Sequence, residues 1–167
     1  MNPKYPVYIV SRKRSGSRYT VKALERLNVP YTVIIEPDDF DDYSNVIDKE
    51  KLLVVPEKYH LEYENCDDLG RTKSQGPGPA RNFSWDDSIS KGYDWHWVMD
   101  DNIEQFYRIN YNQKTIVGDG TILRAMEDFC KRYSNVLMAG PNYDYFVPRK
   151  QKHQPIIFNT RIYSCNQ

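Results

Sequence analysis

Four short apolar runs fall along the N-terminal part of the chain, PVYIV at 6–10, YTVII at 31–35, KLLVVP at 51–56 and YDWHWVM at 93–99, with helix-like segments between them. Their hydrophobicity is mostly continuous rather than alternating, the pattern of strands covered on both faces. Between the first two runs, Val21, Leu24 and Leu27 stand three apart among Lys22, Glu25 and Arg26, which predicts an amphipathic helix over 19–27 ended by Asn28. A short helix over 41–46 and a longer one over 80–91 fill the later gaps, the latter with Gly92 as a natural C-terminal cap. Its loosely periodic apolar residues are Phe83, Trp85 and Ile89. The order β-α-β-α-β predicts an α/β fold, Rossmann-like, with a mostly parallel sheet flanked by helices.

Beyond the fourth run the pattern is less regular. Residues 102–112 hold Ile103, Phe106, Tyr107 and Ile109 and fit a turn or a strand equally. A helix is predicted over 121–133, capped by Thr121 and carrying Ile122, Ala125, Met126 and Phe129 on one face. Strands are predicted at 135–139 and 156–164. The polar stretch 57–79, which runs into QGPGP, reads as a flexible insertion within a single domain over 1–167.

With 167 residues, 40% of them hydrophobic, the chain has room for one domain with a real core. Its formal net charge of +0 gives no global pull toward nucleic acid or membrane. Cys66, Cys130 and Cys165 lack C-x-x-C spacing, so neither a disulfide framework nor a zinc site is indicated, and a reducing cytoplasm is expected. No apolar run approaches the ~18 residues of a membrane span, so no membrane partner is expected. The oligomeric state is left open.

The chemistry gathers where the predicted strands end. WHWVMDDN closes in Asp100, Asp101 and Asn102. On an extended chain Asp100 and Asn102 share a face, and such a pair offers one charged and one neutral oxygen to a hard cation, Mg²⁺ or Mn²⁺. The competing reading is a turn, which Asp and Asn favour on their own. GPGPARN passes from a glycine–proline loop into a helix with Arg81 near its start, an arrangement suited to an anionic group, or merely a linker and a surface arginine. SRKRSGSR follows the first strand and has neither dinucleotide-binding nor P-loop spacing, which leaves a solvated basic loop as its plain reading. Glu36 follows the second strand, where an acid commonly meets a ribose or a base. All of these fall at the carboxyl ends of successive strands, which is where an open parallel sheet binds its ligand.

The run GPGPARNFSWDDSISKGYDWHWVMDDN resembles the nucleotide-sugar domain of GT-A glycosyltransferases of the family-2-like type. There a glycine-rich loop, A-R-N, a helix ending in Gly and an apolar strand lead to D-x-D; Ala80-Arg81-Asn82, Gly92 and Asp100-Asp101-Asn102 match that order. YPVYIVSRKR, VPYTVIIEP and NTRIYSC are more specifically similar to the TET-associated glycosyltransferases, found largely in phages and linked to sugar addition on oxidised methylpyrimidines in DNA. The resemblance covers nearly the whole chain. It implies Ser11 and Arg12 beside the nucleobase, Glu36 on base or ribose, and Arg81 near the diphosphate of a nucleotide-sugar donor. It also implies Asp100, Asp101 and Asn102 at a divalent cation, Mn²⁺ or Mg²⁺, and modified DNA as the acceptor, in a host cytoplasm.

Two departures qualify that picture. Asn102 stands where the family prefers an acid, which removes a charge from the cation site. In the resembling family an acidic segment follows the NTRIYSC-like strand, whereas this sequence stops at Gln167; the resemblance therefore implies a glycosyltransferase truncated at its C-terminus, without its catalytic base. Asp144 and Asp119 are the remaining candidates for that base, and Tyr143, Tyr145 and Phe146 for stacking on a sugar or base. The alternative function is a non-catalytic nucleotide-sugar-binding remnant lacking the acceptor half. A nucleotidyltransferase is disfavoured by the lack of an early G-x-G-T-R loop. His60 and His153 receive no role, and His96 reads as a packed strand histidine.

Overall fold

The computed structural model describes residues 1–66, 74–111 and 113–141. The predicted strand 156–164 and residues Tyr143, Asp144, Tyr145, Phe146 and His153 lie outside them. The chain forms two compact units: Tyr5–Glu25 with Pro30–Glu104, and Met1–Lys4 with Arg26–Val29 and Gln105–Gln167.

The first unit is built on a four-stranded parallel sheet. Strands β1 (Val7–Val10), β2 (Thr32–Ile35), β3 (Leu52–Val54) and β4 (Trp97–Asp100) lie in the order β3-β2-β1-β4. They correspond to the four apolar runs. Tyr8, Ile9, Val33 and Ile34 are fully buried, as continuous β-branched and aromatic runs require when helices cover both faces. Helix α1 (Tyr19–Arg26) buries Thr20, Val21, Ala23 and Leu24, and Asn28 follows it at φ 53°, a left-handed conformation that Asn tolerates. A 3₁₀ turn over Pro37–Asp39 leads into the short helix α2 (Phe40–Ser44).

The stretch 57–79 opens with regular structure. Its first six residues form helix α3 (Glu57–Glu62), anchored by buried Tyr59; residues 67–73 are outside the described set. Helix α4 spans Gly78–Ser90, so Arg81 lies in its first turn. It ends as expected: Gly92 at φ 80°, with Gly92 N–H donating to the Ile89 carbonyl (2.8 Å) and Tyr93 N–H to that of Ser88 (3.1 Å), the paired bonds of a Schellman motif. The buried side chains of α4 are Pro79, Ala80, Ser84 and Ser88, whereas Trp85 and Ile89 are more than half exposed. Small residues let the helix sit close to the sheet, where Tyr8 and Ile34 pack with Val55, Tyr59 and Ala80 and supply the bulk. Buried tyrosines tie the layers together, their hydroxyls donating to carboxylates: Tyr8 to Asp87, Tyr31 to Glu25 and Tyr59 to Asp86.

In the second unit, part of the ambiguous stretch 102–112 forms β5 (Tyr107–Asn110), which pairs antiparallel with β6 (Gln113–Ile116), Tyr107 opposite Ile116. Helix α5 is Thr121–Cys130 and turns Leu123 and Glu127 inward rather than Ala125, which is exposed. Glu127 is held there by the Lys4 N–H, which donates to its Oε2 at 2.8 Å. Thr121 is not the cap but the first helical residue; its N–H donates to Asp119 Oδ1 at 2.8 Å. Residues 135–139 are irregular rather than a strand, and Leu137 is almost wholly exposed, so the apolar run has no pairing partner among the described residues. Among the described residues no helix is long and apolar enough to cross a membrane.

Candidate functional site at the carboxyl ends of β1 and β4

The strand order sets the place. The chain proceeds from β1 outward to β2 and β3, then returns to the other side of β1 as β4, so the direction of winding reverses between β1 and β4. At such a reversal the connections leave to opposite faces and open a crevice at the carboxyl ends of the two strands. The register pairs Val10 with Asp100, which brings Ser11 level with Asp101.

Each of the two acids has its own partners. Asp101 is the inward one, with only 13% of its side chain exposed. Its Oδ2 accepts from Ser11 Oγ at 2.8 Å and its Oδ1 from Arg14 Nη1 at 2.7 Å. Asp100 is the outward one, with 49% of its side chain exposed; its Oδ1 meets Arg81 Nη2 at 2.8 Å. Strand geometry stops at Asp100, and Asp101 and Asn102 form a turn. The alternation that would place Asp100 and Asn102 on one face therefore does not extend to Asn102, which is exposed and makes no hydrogen bond among the described residues. The turn is fastened from below by fully buried Thr20 of α1. Its Oγ1 donates to the Asp100 carbonyl and accepts from Ile103 N–H at 2.9 Å.

The basic loop after β1 is fixed by its main chain. Lys13 N–H donates to Oδ2 of buried Asp39 (2.9 Å), and Arg14 N–H donates to the hydroxyl of Tyr43 (3.2 Å), which also hydrogen-bonds Ser11 Oγ. Burial raises the Tyr43 phenol above its ordinary range, so it stays a neutral donor and acceptor. Lys13 adopts φ 55°, a conformation costly for a non-glycine residue and found where surroundings over-determine the backbone. Arg12 is exposed and makes no hydrogen bond or ion pair among the described residues. At the end of β2, Glu36 Oε2 lies 2.8 Å from His60 Nε2.

Ser11, Arg81, Asp100 and Asp101 thus meet in one cluster; Glu36 belongs to a second, at the neighbouring strand end. Sequence reasoning passed over Arg14, Thr20, Asp39, Tyr43, His60 and Gln75. Asp144 lies outside the described residues. Asp119 serves the start of α5, and the hydrogen bonds it receives from Thr121 lower its pKa, away from what a general base near neutrality needs. His96 packs edge-on against the rings of Tyr8 and Trp85, and burial lowers its pKa, as suits a packed histidine.

A parallel sheet with acids at its switch point is shared by many nucleotide-binding proteins, so geometry alone does not choose among them. The family model of the TET-associated glycosyltransferases matches residues 5–166. The chain belongs to this family. No curated protein and no solved structure gives a match. Membership makes the chain a glycosyltransferase in general terms, and the parallel sheet flanked by helices is the GT-A-like architecture.

The fit of a divalent cation to this TET-associated glycosyltransferase turns on the donor set. Among the described residues no three His, Cys, Asp or Glu side chains converge as a cage. Mg²⁺ commonly takes only one or two protein carboxylates and completes its shell with substrate phosphates and water. Half-exposed Asp100, with one oxygen on Arg81, fits that mode better than Asp101, both of whose oxygens are engaged.

Proposed function

We propose that this chain moves a sugar from a nucleotide-sugar donor to an acceptor hydroxyl, with the donor diphosphate seated at the carboxyl ends of β1 and β4. The observation that carries the reading is the Arg81–Asp100 pair, half-exposed and 2.8 Å apart, at the switch point of a chain of this family. A guanidinium offers a planar fork to phosphate oxygens, and Arg81 is the cation for the diphosphate. As the acceptor oxygen bonds to the anomeric carbon and its hydroxyl proton is released to water, the bond from that carbon to the diphosphate breaks. Negative charge then grows on the leaving group, where a fixed cation lowers the barrier most.

Asp100, with Asn102 and with Asp101 beside them, is the group that would hold Mn²⁺ or Mg²⁺, and such an ion supplies further neutralisation of the leaving diphosphate. Asp101 acts chiefly by holding Ser11 and Arg14. Ser11 and Arg12 flank the nucleobase in this reading, and Glu36 accepts from base or ribose. The acceptor is a hydroxymethylated pyrimidine in phage DNA, turned out of its stack to reach the site.

The test incubates the full chain with UDP- and GDP-sugars, Mn²⁺ and an oligonucleotide carrying 5-hydroxymethylcytosine, and reads DNA mass. The expected result is a hexose increment that is lost in Arg81→Ala and in Asp100→Ala. Donor binding without transfer to any acceptor would select the nucleotide-sugar-binding module instead. Failure to bind any donor overturns the reading.

A further inference from the structure

Glu36 has a partly buried partner on α3, with 30% of its side chain exposed. His60, on α3, faces acceptors with both ring nitrogens: Nε2 lies 2.8 Å from Glu36 Oε2, and Nδ1 lies 2.9 Å from Gln75 Oε1. The amide of Gln75 is itself oriented, because its Nε2 donates to the His60 carbonyl. A two-point contact of this kind fixes the ring plane as well as its position. Glu36 is only 16% exposed and has Oε2 taken; its carboxylate makes no other hydrogen bond among the described residues, so Oε1 is the oxygen left for a ligand.

The same contact reaches forward along the chain. Gln75 opens the loop before α4, and its carbonyl accepts from Gly78 N–H at 3.4 Å. Pro77 then accepts from Arg81 N–H at 3.0 Å. Gly78 itself lies against the tip of the Tyr63 ring, where a Cβ would come within 2.1 Å. From Glu36 to Arg81 the connections are therefore His60, Gln75 and one tight turn.

We propose that His60 is a positioning residue for nucleoside recognition: held by Gln75, it orients Glu36 toward the nucleoside. The inference rests on the nucleotide-sugar reading above and adds a residue to it. Its chemistry is that of a carboxylate with one oxygen immobilised, presenting the other to a hydroxyl or N–H of a nucleoside.

The experiment compares calorimetric binding of UDP, GDP, ADP and CDP with that of inorganic pyrophosphate, using the full chain. The tightest nucleotide is the probe, and pyrophosphate reports the diphosphate site without a nucleoside. His60→Ala is expected to weaken the nucleotide by about tenfold, the scale of one hydrogen bond to a charged group. Pyrophosphate affinity should stay within about twofold, which also shows that the variant is folded. His60→Gln keeps an N–H donor and should recover most of the loss. Glu36→Ala should cost the same as His60→Ala, and the double variant no more than either, because both remove one interaction.

Equal nucleotide binding by wild type and His60→Ala overturns the proposal. So does a parallel loss of pyrophosphate, which would make His60 a structural tether, or full additivity with Glu36→Ala. If the wild-type chain binds pyrophosphate but no nucleotide, or neither, the nucleotide-sugar reading fails and this one with it; nucleotide binding indifferent to His60 sinks this one alone.

Discussion

Replacing each acid of the adjacent pair by its amide separates a structural carboxylate from a chemical one. In Asp101→Asn the shape is kept and the charge removed. Two bonds are affected: that from Ser11, a residue only 7% exposed, and that from Arg14, whose side chain is 51% exposed. A hydrogen bond to a charged acceptor contributes ~1.5–3 kcal/mol against ~1 for a neutral one, so the Ser11 bond should lose about 1 kcal/mol. The half-exposed ion pair to Arg14 adds ~0.5 kcal/mol once solvent screening is allowed for. The total is about 1.5 kcal/mol. In Asp100→Asn only a pair exposed on both sides is lost, worth ~0–1 kcal/mol.

Urea titration followed by tryptophan fluorescence measures both. Asp101→Asn should lower the unfolding free energy by about 1.5 kcal/mol with the slope unchanged. Asp100→Asn should lie within about 0.5 kcal/mol of wild type yet lose Mn²⁺-dependent nucleotide binding. Equal destabilisation by the two substitutions would refute the division of roles. Wild-type stability in Asp101→Asn would show that the Ser11–Asp101–Arg14 contacts do not hold the loop.

Two further outcomes follow from the same contacts. Thr20→Val keeps the volume but strips Asp100 C=O and Ile103 N–H of their shared partner, and should cost about 2 kcal/mol in the same titration; a loss below about 0.5 kcal/mol would mean that water or a shifted main chain replaces Thr20. Alkaline stability should fall above pH ~10, where an exposed tyrosine ionises. Burial first, then the hydrogen bond to Asp86, pushes Tyr59 up to about 12, and Tyr8 and Tyr31 are raised for the same two reasons with Asp87 and Glu25. The folded chain then keeps protons that the unfolded chain releases, so stability is whole below the unfolded pKa and declines as pH rises toward the folded values. Urea midpoints at successive pH values, with absorbance at 295 nm for tyrosinate, check this, and a flat midpoint from pH 9 to 11.5 would contradict it.

The four strands of the parallel sheet were legible because each is a continuous apolar run, and Asn28 and Gly92 marked helix ends because their left-handed φ values select such residues. The helix faces were harder. In α4 the residues that approach the sheet are Ala80, Ser84 and Ser88, so hydrophobicity pointed to Trp85 and Ile89, which are exposed. In α5 an inward Glu127 is made acceptable by the Lys4 N–H, a partner more than a hundred positions away. The acids of the site were visible, and so were Ser11 and Arg81, but not Arg14 or His60. His60 meets Glu36 only once α3 has formed, and polarity alone had read that stretch as an insertion.

Arg14 shows why the partner of Asp101 was not readable. Alternation along an extended loop gives no reason to prefer Arg14 over Arg12, and Lys13 carries no preference for positive φ. The loop takes that conformation because Asp39 and Tyr43 capture the N–H groups of Lys13 and Arg14, two bonds that offset the strain at Lys13. The captured main chain delivers the Arg14 guanidinium to Asp101 and leaves Arg12 and Lys13 exposed. Neighbouring carboxylates at a strand end would otherwise repel each other. Here one is neutralised by the β1 loop and the other by α4, and the different exposure of those two arginine pairs follows from the register of Ser11 against Asp101. The acid facing inward fixes the loop, and the acid facing outward keeps half of its side chain exposed.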